Sequence, residues 1–195
     1  MALLPANRFP INSLQAFMRP LITLILLILI LPIFAARRAA DDLYISAVLT
    51  REQRGRDSST RTTTTIIVEG NKIVYDRIYS GFRGSYSEPV HREYRITGAD
   101  AQRLERVIKE HGLLVSDKLD YPRRIGGFWH FRITLNLRSG GQKSLIEIAG
   151  PTSAVKIREE KLYKNSSTLL KEIFSIINAQ DTEIPREDDL IDKTH

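Results

Sequence analysis

The chain has 195 residues and a mass of 22.3 kDa, with 42% hydrophobic and 27% charged residues. That is globular usage, so a disordered or collagen-like polymer is excluded, and the length fits one domain with a real core. The formal charge is +6 and cysteine is absent, which excludes a disulfide framework, a thiolate nucleophile and a lipidated cysteine.

Residues 20–36 carry no charge and consist almost entirely of Leu, Ile and Ala, bounded by Arg19 and by Arg37-Arg38. As a helix they would reach about 25 Å, against roughly 30 Å of bilayer hydrocarbon. The dense part, Leu21 to Leu31, has the length of a signal-peptide core; Pro32 then breaks it, and Ala35-Ala36 follow. Starting from Met18, with Arg19 next, the layout is that of a compact signal peptide. Two features point instead to a retained anchor. Ile33 or Phe34 occupies the position three residues before the cuts after Ala35 or Ala36, and Arg37-Arg38 suits a stop-transfer flank. Either way the remainder of the chain is expected to be exported. A cysteine-free exported domain of this size fits the periplasm, the medium or the membrane surface of a bacterial envelope.

Strand patterning begins at once. Leu43, Ile45, Ala47 and Leu49 alternate with Tyr44, Ser46 and Val48 in a first strand, 43–50. The polar stretch Arg51 to Arg61 reads as an exposed loop. Thr62 to Glu69 is almost entirely β-branched, and Gly70-Asn71 reverses it into a third strand, Lys72–Tyr79. A loop with Phe82, Arg83 and Tyr86 follows, then a fourth strand from Val90 to Ile96. Thr97-Gly-Ala-Asp100 has the form of a capping box, and Ala101, Leu104, Val107 and Ile108 recur at helical spacing until Gly112.

Residues 115–127 read as a loop. Trp129, Phe131, Ile133, Leu135 and Leu137 then form the apolar side of the clearest strand, so Trp129 is expected deep beneath a helix. Ser139-Gly140-Gly141 turns it into Ser144–Ala149. Residues 152–163 read as a short helix or irregular arm, and a final helix is expected over 166–179, capped by Asn165 or Ser166. The expected fold is α+β, an antiparallel sheet of about six strands with two helices on one face, preceded by the signal or anchor segment. The expected divisions are 1–36, a single domain over 41–179, and an acidic tail over 180–195.

Charge is unevenly placed. Residues 37–179 carry +8 and residues 180–195 carry −4. Export and the lack of clustered stacking aromatics argue against nucleic acid as a partner. The fitting partners are an anionic envelope polymer or protein, and the membrane itself through residues 20–36 if that segment is kept.

No phosphate loop, dinucleotide fingerprint, zinc signature or nucleophile elbow is present, and no catalytic residue, metal or cofactor is expected. His91, Glu93, His130 and Arg132 would form a polar cluster only if the fourth and fifth strands were neighbours. Better binding candidates are Arg51, Arg54, Arg56 and Arg61 on the first loop, Phe82 and Arg83 on the second, and the Arg123-Arg124 pair. Arginine offers a planar fork suited to phosphate or carboxylate. The expectation is therefore a non-enzymatic exported binding module. Its alternative is a membrane-tethered structural subunit of an envelope complex, and a hydrolase with an unrecognised site ranks below both.

Overall fold

A computed structural model describes residues 42–54, 59–81, 87–121, 129–152 and 155–184. The candidates Arg56, Phe82, Arg83, Arg123 and Arg124, the apolar segment 20–36 and most of the acidic tail lie outside the described residues.

The elements run β1 (Tyr44–Arg54), β2 (Ser59–Glu69), β3 (Lys72–Ser80), β4 (Val90–Arg95), α1 (Gly98–Glu110), β5 (Asp117–Asp120), β6 (Trp129–Ser139), β7 (Gln142–Pro151), α2 (Val155–Glu159) and α3 (Lys161–Asn178). The strands form one sheet in the order β4-β3-β2-β1-β6-β7-β5. All neighbours are antiparallel except β5, which pairs parallel with β7. The fold is thus α+β with a mixed seven-stranded sheet.

The seventh strand is where the expectation of an all-antiparallel sheet fails. Asp117-Lys-Leu-Asp120 is too short and charged to show a strand pattern. It forms because α1 carries the chain from the β4 edge to the opposite edge, beside β7. There Leu119 aligns with Ile148 and joins the core.

Alternation decides which face is buried. Leu43, Ile45, Ala47 and Leu49 are buried, as are Ile66, Val68, Ile73 and Tyr75, and Ile133, Leu135 and Leu137 on β6. Registered pairs such as Ile45 with Val68 and Leu137 bring these side chains onto a single face. They join Ala101, Leu104 and Ile108 of α1 and Leu169, Leu170, Ile173 and Phe174 of α3 in one core. Each such aliphatic side chain taken from water contributes roughly 1.5–3 kcal/mol. Tyr75 meets Phe174 edge-on at 6.4 Å, and Phe131 meets Tyr163 at 5.9 Å.

Local signals act as their chemistry requires. Thr97 Oγ1 accepts from the Asp100 amide at 3.1 Å while Asp100 Oδ2 accepts from the Thr97 amide at 3.1 Å, completing the capping box. The β6–β7 hairpin turns on Gly140 and Gly141, at φ 56° and 77°; a two-residue turn with both central residues left-handed matches the sheet's twist.

Three further expectations are corrected. The stretch Arg51–Arg61 is mostly strand: Arg51 pairs with Thr62 and Arg54 with Ser59, leaving 55–58 as the connection. Trp129 is half-buried, not deeply buried. It starts β6, with the Arg51 guanidinium 4.2 Å over its ring. The last helix begins at Lys161, so Asn165 and Ser166 lie inside it and do not cap it. Asn165 Nδ2 instead donates to the His111 carbonyl at 2.8 Å, tying α3 to the end of α1.

Candidate functional site

The helix-free face of the sheet carries the residues that alternate with the core positions, and it is polar at the end that holds Arg61, Glu52, His130 and Arg132. Its rungs follow from register. Arg61 on β2, Glu52 on β1 and His130 on β6 stand side by side. The next rung aligns Thr63, Thr50, Arg132, Ala149 and Asp120 across β2, β1, β6, β7 and β5.

At this end of the sheet lies a cavity of about 720 Å³, lined by Arg61, Glu52, His130, Arg132, Asp120 and Tyr121, with Thr50, Phe131, Ala149 and Gly150 completing its wall. The volume is within the range of small-molecule sites. Tyr121 is placed by continuation of the ladder: its amide donates to the Ala149 carbonyl at 2.8 Å, and its phenol donates to Glu160 at 3.1 Å. Loss of hydration, and after it that hydrogen bond and the Glu160 charge, push the Tyr121 phenol up. Gly150 makes the approach possible. A Cβ there would stand 2.9 Å from Ile157 Cδ1 and 3.1 Å from Tyr121 Cβ.

The charges in the cavity differ in how they are held. Asp120 lies 3.9 Å from Lys118, in an exposed pair of little energetic weight. Arg61 and Arg132 are exposed, and neither is in an ion pair with another described residue. Nδ1 of His130 is shielded from water without a hydrogen-bond partner. The cavity can therefore offer two guanidinium forks to an acceptor-rich ligand, and carboxylate oxygens to a donor.

The sequence-derived candidates are dispersed. Of the arginines expected on one loop, Arg61 lines the cavity. Arg51 stands on the helix-covered face against Trp129, since adjacent strand residues point to opposite faces. The proposed cluster of His91, Glu93, His130 and Arg132 does not form. Strands β3, β2 and β1 separate β4 from β6, and His91 Nδ1 instead meets Asp76 at 2.6 Å. Among the described residues no three His, Asp or Glu side chains gather into a metal-holding group. Glu52, Asp120 and Tyr121 were absent from the candidates. The signal that could have found Glu52 is its even-numbered position, continuing the alternation of β1 past Thr50.

No family model matches the chain, and no curated protein is detectably similar to it.

Proposed function

We propose that this protein is an exported, non-enzymatic binding module that captures an anionic group on an envelope polymer or protein. The observation that carries this reading is the pair Arg61 and Arg132, brought from β2 and β6 to one cavity and held in no ion pair among the described residues. Paired guanidinium forks attract a phosphate or carboxylate, and their attraction reaches about a Debye length into solution, near 8 Å at physiological salt. The excess of +8 over residues 37–179 supports the same sign of partner.

Export rests on the uncharged run 20–36. Cleavage near Ala36 would release the domain into the periplasm or the medium. Retention would tether it to the membrane, the arrangement that Arg37-Arg38 favours and that a structural subunit of an envelope complex would use. Among the described residues no helix is long and apolar enough to cross a membrane. The N-terminal residue of protein recovered from cells separates the two fates.

Calorimetric titration with tripolyphosphate tests the binding claim. The intact protein should bind, and Arg61→Ser with Arg132→Ser should weaken binding at least tenfold at an unchanged melting temperature. No binding, or equal binding by the double variant, contradicts the reading.

A further inference from the structure

The order of charges across the open face narrows the ligand beyond an anionic group. From β2 to β5 the cavity presents Arg61 and Glu52 on one rung and Arg132 and Asp120 on the next, so positive and negative side chains alternate along a line that crosses the strands obliquely. Neighbouring strands are about 4.8 Å apart, which puts the strands carrying the two arginines about 10 Å apart and spreads the whole series over about 20 Å.

Each simple ligand leaves part of this series unused. A compact polyanion would place negative charge against Glu52 and Asp120. A neutral polyol would satisfy the carboxylates, which accept hydrogen bonds but cannot donate them when ionised, and would leave the guanidinium groups idle. A cationic peptide would meet Arg61 and Arg132.

A chain that spaces its carboxylates one disaccharide apart, with hydroxyl groups between them, matches every position. Its acid groups lie on Arg61 and Arg132, and its hydroxyls donate to Glu52 and Asp120. Ala149 offers a small apolar surface to the C–H face of a sugar. A cavity of about 720 Å³ open at the sheet surface admits such a chain lying across the strands.

We infer that the cavity binds an acidic polysaccharide carrying a carboxylate on alternate sugars. This rests on the anion-binding reading above and adds the spacing and the hydroxyl contacts to it.

The full-length protein is titrated with a hyaluronan hexasaccharide, with glucuronate, with a dextran oligosaccharide of equal length and with tripolyphosphate. The hexasaccharide should bind at least tenfold more tightly than glucuronate and more tightly than tripolyphosphate, while dextran should not bind. Arg61→Ser or Arg132→Ser alone should reduce the hexasaccharide to the affinity of glucuronate. Asp120→Asn should weaken the hexasaccharide while strengthening tripolyphosphate, because removing a negative charge relieves repulsion only for the compact anion. Arginine-dependent binding of tripolyphosphate without preference for the hexasaccharide would overturn the polysaccharide assignment and leave anion capture standing. Absence of any arginine-dependent binding would overturn both. Melting curves of each variant identify any loss that comes from unfolding.

Discussion

The Gln180 side chain imitates a strand beside Arg95: its Oε1 accepts from the Arg95 amide at 3.2 Å and its Nε2 donates to the Arg95 carbonyl at 2.8 Å. Strand β4 is a sheet edge, and unpaired edges invite pairing with another chain. Arg92 Nη1 also donates to the His91 carbonyl at 3.0 Å. Two side chains thus occupy three of the backbone groups along this edge. Gln180→Ala should cost about 1 kcal/mol and increase self-association with concentration, measured by sedimentation. An unchanged monomer fraction at high concentration would show that the edge is protected by other means.

Gly150 permits Tyr121 and Ile157 to close over β7. Gly150→Ala places a methyl 2.9 Å from Ile157 Cδ1 and 3.1 Å from Tyr121 Cβ. Both neighbours are held, Ile157 being fully buried, so overpacking should cost about 1–3 kcal/mol. Because Tyr121 lines the cavity, ligand affinity should fall with stability. Chemical denaturation of the variant checks the first effect and titration the second.

Phe131 and Trp129 share β6 and a face but differ in depth. Phe131 is 4% exposed and packs on Tyr163, so Phe131→Ala should cost about 3–5 kcal/mol. Trp129→Ala should cost clearly less. A double-mutant cycle of Trp129→Ala with Arg51→Ala should return a coupling of about 0.5–2 kcal/mol, the range of a guanidinium over an indole. Zero coupling would mean that Arg51 holds no energetic contact with the ring.

Burial pushes the Tyr94 phenol well above the usual tyrosine range, aided by its 2.9 Å hydrogen bond to Asp181 and that carboxylate's charge. The neutral phenol is the form the fold accommodates. Its contribution is complete below about pH 10, the unfolded value, and is lost as pH rises above it. Tyr75 is shifted the same way by burial. Stability should therefore fall above about pH 10, and less steeply in Tyr94→Phe. Identical alkaline slopes in the two proteins would contradict this assignment.

Much of the sheet was legible because core strands alternate: Ile45, Ala47 and Leu49 stand against Thr62-to-Glu69 and the Phe131-to-Leu137 run, as their pattern demands. The capping box at Thr97 and the turn at Gly140-Gly141 were legible for local reasons. What escaped reading lies where local pattern ends and tertiary placement begins. Strand β5 has four residues and gains its identity only from β7. The ends of β1 and β2 are polar on both faces, so alternation gives no signal there. The cavity escaped for the same reason. Arg61 and Arg132 are 71 positions apart in sequence, and only the order β2-β1-β6 brings them to one place.

Arg61 and Arg132 can be watched individually by the NMR signals of their Nε–Hε groups. Arg138 serves as an internal control, since it lies on the same face but sits 5.4 Å over the Tyr44 ring. On adding tripolyphosphate to the intact protein, the Arg61 and Arg132 signals should move together with one saturation curve while Arg138 stays still. Equal movement of all three would reveal general attraction to a basic surface, and no movement of Arg61 and Arg132 would show that the cavity does not bind anions.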